Sequence, residues 1–369
     1  MIVILSRFLG GATALMLACS PVTYASNDRS REFRQRPDTI AMKAMVSVVK
    51  AFVDRRNRAL LVGAETHEPA SLNGVLAGES ASITAAERAV VAKLASGRDV
   101  LREWGQTHHR ASSDITVVRT AVDRTVTLEV VEHTALWFRT AATPQEQSTE
   151  WESRRVFVFE QTAGRWLVQS QRLLGEGPVP SNEPTDATPE ESRAALAQLP
   201  RPTPGGQLTA PSSTTVNKGA VAAYVERHWH NYNPAYRTFS GVGRDCTNFV
   251  SQAMRAGGWS DVTGWYRSPE HWWYTTANQT WSWLNVGLWY EFAAVHSRRT
   301  RLLGHPRELR VGDVLQADFH NDGAKDHSMI VSHYAGQPML TYHSNDVFLK
   351  PLSQLLKDYP RGRWLSHRT

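Results

Sequence analysis

A stretch rich in proline and glycine, residues 176–215, limits more than any other feature how this chain folds. Its turn-forming residues interrupt a polar sequence at Gly177, Pro178, Pro180, Pro184, Pro189, Pro200, Pro202, Pro204, Gly205, Gly206 and Pro211. Proline fixes φ and has no backbone N–H, so this composition favours an extended spacer over a packed element. We therefore predict a linker between an N-terminal domain over residues 27–175 and a C-terminal domain over residues 216–369.

The first 25 residues are typical of an export signal. An apolar run over residues 12–18 is followed by Thr23-Tyr24-Ala25, with small side chains at the positions that direct cleavage before Ser26. The alternative is lipid attachment at Cys19. In either case we expect export, and no later stretch is long and apolar enough to span a bilayer.

The formal net charge of +6 favours an anionic surface outside the membrane, although ordinary solubility charge explains it equally well. The sequence has no clustered basic run and no RNA-binding type of aromatic motif. We therefore expect no nucleic-acid partner. Oligomeric state is not indicated.

The N-terminal domain is predicted to be α+β, with helices first and a meandering sheet after them. Apolar spacing predicts helices over residues 39–61 and 84–104. Strands are expected at residues 115–118, 126–131, 134–138, 155–160 and 166–170. A hairpin turn is expected at residues 162–165, between the last two of these strands. The last hairpin resembles that of the cystatin-like cone of the nuclear-transport-factor superfamily, which implies an accessory or positioning domain.

The C-terminal domain is predicted to place helices before an antiparallel sheet. An amphipathic helix is expected over residues 218–232, and a second over residues 244–258 with Asp245 as its N-cap. Strands are predicted over residues 314–318, 327–333 and 339–343. The whole chain is thus expected to be α+β.

Cys246 is the thiol that remains once Cys19 is removed or lipidated, because the chain has two cysteines. Its predicted place in the first turn of a helix exposes it to unpaired N–H groups and to the positive end of the dipole, which favour a reactive thiolate. The alternative is a buried, inert cysteine. A thiolate also needs a proton carrier, and His327 opens a strand whose neighbour ends at His343, so that His343 could orient His327.

The histidines also admit other roles. Of the 14 histidines, most are expected at the surface or in structural roles, including His228, His230, His305 and His320. A zinc site using His327, His333 or His343 with Asp326 lacks an HExxH or CxxC spacing. We expect neither a metal nor an organic cofactor.

Residues 245–252, with Gly257-Gly258-Trp259 after them, closely resemble the motif of the putative amidase domain family. That family belongs with the papain-like NlpC and CHAP peptidases. Further matching segments are residues 232–236, 312–314, 326–331 and 342–346. The resemblance implies a papain-like C-terminal domain that hydrolyses an amide bond.

The resemblance also implies residue roles. Cys246 is the nucleophile and His327 the base, while the third residue is His343, with Asn345 or Asp346 as the alternative. The oxyanion or substrate would contact Tyr236 and Asp245, with Tyr232 as an alternative donor.

The resemblance implies a secreted, wall-associated cysteine amidase or peptidase acting on peptidoglycan peptides. The alternatives are an acyltransferase or transpeptidase of the same fold, and a non-enzymatic wall-binding module. The tryptophan-dense segment 259–289 indicates either a groove for glycan rings or a packed core.

Overall fold

The computed structural model describes residues 39–63, 81–103, 107–138, 146–174, 216–239 and 245–369. The predicted export signal, Cys19 and the predicted linker lie outside these residues. Within the described ranges, no helix is long and apolar enough to cross a membrane.

The N-terminal part has two helices followed by an antiparallel meander, which confirms the predicted α+β order. The elements are α1 (Thr39–Arg58), α2 (Ala81–Glu103), β1 (His108–Val122), β2 (Val126–Phe138), β3 (Gln147–Thr162) and β4 (Arg165–Leu174), and the strands pair in chain order. The two segments predicted at 126–131 and 134–138 are one strand, β2. Burial alternates from Val126 to Thr134, so Glu132 and His133 continue the strand.

The turn between β3 and β4 has the predicted position. Ala163 and Gly164 both have positive φ, 48° and 75°. A two-residue turn of this kind matches the twist of the strands that it joins. Above the sheet, Phe52 of α1 meets Phe157 of β3 edge to face at 5.4 Å. The comparison with a cone-shaped fold stays a prediction.

The C-terminal part places four α-helices before an antiparallel sheet, as predicted, and a fifth between the last two strands. The helices are α3 (Lys218–His228), α4 (Asp245–Ala256), α5 (Trp281–Leu284), α6 (Val286–Tyr290) and α7 (Leu352–Asp358). The strands are β5 (Arg301–Leu302), β6 (Val314–Asp318), β7 (His327–Tyr334), β8 (Pro338–Tyr342), β9 (Val347–Pro351) and β10 (Arg363–Arg368). They pair in the order β5-β10-β6-β7-β8-β9.

The C-terminal sheet is covered on both faces. Helix α4 packs Phe249 and Val250 into one core that includes Ile330 of β7. On the other face, Met329 of the same strand packs in a second core with Leu355 of α7. Successive residues of a strand point to opposite faces, so the two cores take alternate residues of β7.

The tryptophan-dense segment forms core, so the glycan-groove interpretation is wrong for most of its rings. Five of these indole side chains are fully buried: Trp259, Trp272, Trp273, Trp283 and Trp289. The same segment also contacts the N-terminal part. Glu150 of β3 accepts a backbone hydrogen bond from Tyr266 at 3.0 Å and donates one to Gly264 at 3.2 Å. Beside this bridge, Trp151 packs against Trp273 with 6.3 Å between ring centroids.

Candidate active site

Cys246 is the second residue of α4 and is 3% exposed. Its Sγ lies 3.7 Å from the hydroxyl of Thr247. The backbone N–H groups of Ser328 and Thr247 also donate to the sulfur. The start of α4 therefore holds the sulfur against the first residues of β7.

Burial raises the pKa of the Cys246 thiol. The donors from Ser328 and Thr247 lower it, and the Asp245 carboxylate adds to the rise. The N–H of Thr247 at the start of the helix favours the thiolate, as expected, but burial outweighs it and the net pKa is raised. The helix dipole contributes only about 0.3–1 kcal/mol at an exposed helix end, and here the cost of burying a charge outweighs it.

His327 is the first residue of β7, as predicted, and its ring packs on aromatic side chains. The ring lies 4.7 Å from that of Tyr342 and 6.0 Å from that of Phe319. Burial lowers the pKa of His327 to about 4, although nearby Asp326 acts in the opposite direction. The imidazole is therefore neutral near pH 7. Its Nε2 is buried and has no hydrogen-bond partner among the described residues.

His327 and Cys246 lie on opposite faces of the sheet. The Ser328 hydroxyl lies 3.1 Å from that of Thr247, so Ser328 faces α4. His327, its neighbour in the strand, faces the core that contains Tyr342. Within the described ranges, no hydrogen bond joins the His327 ring to the sulfur.

His343 follows β8 and pairs with Asp245 rather than with His327. Its Nδ1 lies 2.5 Å from a carboxylate oxygen of Asp245, and its Nε2 lies 2.9 Å from the carbonyl of His228. The ring is stacked between Tyr232 and Phe249, with centroids 4.0 and 3.8 Å away. Because both ring nitrogens are engaged, His343 does not orient His327, contrary to the expectation from strand order.

Asp245 has a structural place at the start of α4. It is buried and is the first residue of the helix rather than a residue outside it. Its other carboxylate oxygen accepts hydrogen bonds from the backbone N–H of Phe239 at 2.8 Å and from Asn248 at 2.8 Å. Asp245 therefore holds neighbouring elements together and is closed to a substrate in this arrangement.

The two tyrosines predicted as oxyanion donors lie in different places. The Tyr236 hydroxyl is buried and hydrogen-bonded to Arg255, near the far end of α4. Arg255 is nine residues beyond Cys246, or ~13 Å along a helix that rises 1.5 Å per residue. The structure does not bring Tyr236 to the sulfur. Tyr232 covers His343 and donates to Asp346 at 2.7 Å.

The remaining candidates are spread out. Asn345 is exposed in the turn between β8 and β9. His333 is exposed near the end of β7. A zinc ion shared by His327 and His343 is not possible here, because the two rings face opposite sides of the sheet. The described residues contain no group of three or more histidine, cysteine, aspartate or glutamate side chains placed to hold a metal ion.

Sequence reasoning missed the buried polar residues that surround the sulfur. Thr247 and Ser328 stood inside two of the motifs, but only the hydrophobic and titratable positions were assigned roles. Gln316 and His367 stood in no motif. Neutral polar residues such as these can be recognised as hydrogen-bond partners only when the pairing of the strands is known.

A helix with a cysteine in its first turn, packed on an antiparallel sheet, defines this domain as α+β with a candidate thiol nucleophile. Residues 215–365 match the family model described as a putative amidase domain. This match supports hydrolase activity on amides for this part of the chain.

Two relatives come from Bacillus subtilis (strain 168), and both are described as uncharacterized. YhbB is 34% identical over 116 residues, which is 31% of this chain and 35% of YhbB. YjcM is 31% identical over 152 residues, which is 38% of this chain and 34% of YjcM. The chain thus spans about a third of the length of both relatives.

Among solved structures, the intermembrane space region of chloroplast protein ARC6 is matched. The match has a TM-score of 0.26 and 11% identity, and it covers 38% of this chain and all of that one. A likeness at this level carries no argument about fold or function.

Proposed function

We propose that the C-terminal domain is a cysteine amidase or peptidase, and that the exported protein hydrolyses an amide bond in peptidoglycan peptides. One observation carries the proposal. In the part of the chain that matches the amidase family model, the sulfur of Cys246 lies at the start of α4 against the N–H of Ser328, which directly follows His327.

His327 is the proposed base. Its neutral ring and its unpartnered Nε2 suit the acceptance of a proton. Because the ring now packs on Tyr342, the proposal includes a turn of the His327 side chain around the end of β7 toward the sulfur when substrate binds. His327 is the first residue of the strand, which keeps this movement local.

In the proposed reaction, His327 takes the thiol proton and the thiolate of Cys246 attacks the amide carbonyl. The negative oxygen that forms is bound by N–H groups in the first turn of α4, which have no partner within the helix. The C–N bond then breaks as His327 protonates the leaving amine. Water activated by His327 hydrolyses the thioester and restores the thiol.

Export and a wall substrate are supported by the sequence. The N-terminal segment is typical of an export signal, and the net charge of +6 suits an anionic wall. A second candidate function, a wall-binding module without catalysis, is favoured by one observation, the buried thiol that lacks an imidazole neighbour. An acyltransferase would use the same nucleophile and pass the acyl group to an amine.

The test is to incubate the protein with purified peptidoglycan and with free stem peptides, with and without an amine acceptor, and to identify the products by mass spectrometry. Hydrolysis products are expected, and they should disappear with Cys246→Ser. Activity that survives in Cys246→Ser would remove the nucleophile assignment. Amine adducts would show acyl transfer, while wall binding without products would favour the binding module.

A matched pair of variants tests the base. His327→Asn should lower kcat at least ~10²-fold, the lower end of the usual contribution of general acid–base catalysis. The control is His333→Asn, an exposed histidine of the same strand, and it should retain wild-type activity. Equal activity of the two variants would remove His327 from the mechanism.

A further inference from the structure

A chain of buried polar side chains ends at the sulfur of Cys246. From the sulfur it passes to Thr247, then 3.1 Å on to Ser328, then 3.2 Å on to the amide nitrogen of Gln316. The Gln316 amide oxygen lies 3.2 Å from His367 Nε2. Residues 247, 316, 328 and 367 are all fully buried. Their hydrogen bonds are therefore made with one another rather than with water.

The Gln316 amide fixes the direction of this chain. Its nitrogen donates to the backbone carbonyl of Val286 at 2.9 Å, and a carbonyl can only accept, so the amide orientation is determined. The second N–H then donates to the Ser328 hydroxyl oxygen. Ser328 must donate onward, and the hydroxyl that faces it belongs to Thr247. Among the described residues, the sulfur is then the acceptor that remains for the Thr247 proton, 3.7 Å away.

The other end of the chain follows the same direction. The Gln316 oxygen can only accept, so His367 carries its proton on Nε2. Its Nδ1 then accepts from the Thr300 hydroxyl, 3.0 Å away. Every donor from Thr300 to Thr247 thus points toward Cys246. Hydrogen bonds aligned in this way polarise one another, which strengthens the last bond of the chain.

We infer that Gln316, Ser328 and Thr247 are positioning residues that stabilise the thiolate of Cys246 through a one-directional chain of buried donors. The consequence for catalysis rests on the proposed function, in which this thiolate attacks the substrate. This series of hydrogen bonds also explains why polar side chains are buried in the protein interior beside Cys246. A buried thiolate with no donors would be too costly to form.

The Thr247 donor opposes burial. Burial raises the pKa of the Cys246 thiol, and the hydroxyl of Thr247 lowers it. A hydrogen bond to a charged group is stronger than one between neutral groups, so the thiolate gains more than the thiol does. Removing the donor should therefore reduce the thiolate fraction.

The test titrates the thiol directly, with no substrate present. The full-length protein carries Cys19→Ala, so that Cys246 gives the single cysteine signal, and the ¹³Cβ shift of labelled cysteine is followed by NMR against pH. Thr247→Val, which keeps the shape of the side chain, should raise the apparent pKa by about one unit, a tenfold loss of thiolate. Thr247→Ser restores the hydroxyl and should return the pKa to the parent value.

Ser328→Ala tests whether the chain acts through Thr247. Alone it should raise the pKa by about half a unit, and added to Thr247→Val it should change nothing further, because the last donor is already absent. It removes a single oxygen and so provides the readout if Thr247→Val does not fold.

Three results would overturn the inference. These are an unchanged pKa in folded Thr247→Val or Ser328→Ala, a full additional effect of Ser328→Ala in the double variant, and a parent thiol that stays protonated wherever the protein is folded. A lack of amidase activity would count against the proposed function alone, since the titration involves no substrate.

Discussion

The Nδ1 atom of His343 lies 2.5 Å from the carboxylate of Asp245, and both side chains are fully buried. This contact joins the end of β8 to the first residue of the helix that carries Cys246. The other bonds of the pair reach the carbonyl of His228, the N–H of Phe239 and the side-chain amide of Asn248. One buried pair therefore holds together the end of α3, the start of α4 and the end of β8.

Asp245→Ala should lower the free energy of unfolding by about 3–5 kcal/mol, because buried His343 then loses the carboxylate that it contacts. Urea denaturation measures this. The control is Asp54→Ala, which breaks the exposed i,i+4 pair with Lys50 and should cost less than ~1 kcal/mol. Equal costs for the two variants would contradict a structural role for Asp245.

The faces of β7 explain why the sequence predicted the elements of the site but not its contacts. Helical spacing and strand composition located α1, α4, β6 and β7 closely. The neighbours of His327 and His343 depend instead on how β7 and β8 pair. Ile330 pairs with Thr341, and a bulge between Val331 and His333 shifts the register beyond it.

A shift of one residue exchanges the two faces of a strand, and no single sequence reveals where a bulge lies. With the Ile330–Thr341 pairing, Ser328 rather than His327 falls in the row of His343. This row faces α4, which is why Ser328 and His343 contact the residues next to Cys246. The hydrogen bonds that lead from Gln316 to Cys246 depend on the same strand pairing, so the sequence alone does not predict them.

His108 should make the protein less stable as the pH falls. Burial, followed by the nearby positive charges, lowers the pKa of His108 to about 4. Between about pH 6.5 and 4 the unfolded chain binds a proton on this histidine that the folded chain does not, so stability falls with falling pH. Above pH 6.5 both states are neutral here and the contribution is zero.

The replacement of His108 by a neutral side chain, His108→Gln, should reduce the loss of stability between pH 7 and pH 4.5 by about 2.4 kcal/mol, at 1.36 kcal/mol per pKa unit. Urea denaturation at pH 7 and pH 4.5 measures it. His109→Gln, a change at the exposed neighbour in β1, serves as the control and should leave the fall in place. A fall of the same size in both variants would show that His108 is not its source.

Trp273→Ala should lower the free energy of unfolding by about 3–5 kcal/mol, the usual cost of a large-to-small change at a buried tryptophan. Trp273 is fully buried and packs against Trp151 of the N-terminal part. Thermal unfolding followed by tryptophan fluorescence and by circular dichroism measures the loss. Trp229→Ala is the comparison, because Trp229 is partly exposed, stacks on Phe348 and packs only against the margin of the core. A smaller loss of stability for Trp273→Ala than for Trp229→Ala would contradict the conclusion that the tryptophan-dense segment forms core.

Two glycine-to-alanine substitutions should have opposite signs. Gly164 has a φ of 75° in the turn between β3 and β4, where an alanine Cβ is disfavoured, so Gly164→Ala should destabilise by about 1 kcal/mol. Gly219 lies in the first turn of α3, where an added Cβ meets nothing closer than 3.4 Å. Gly219→Ala reduces the freedom of the unfolded chain and should stabilise by about 0.4–1 kcal/mol. Urea midpoints of the two variants measure the difference. A gain in stability for Gly164→Ala would mean that the turn does not need the left-handed conformation.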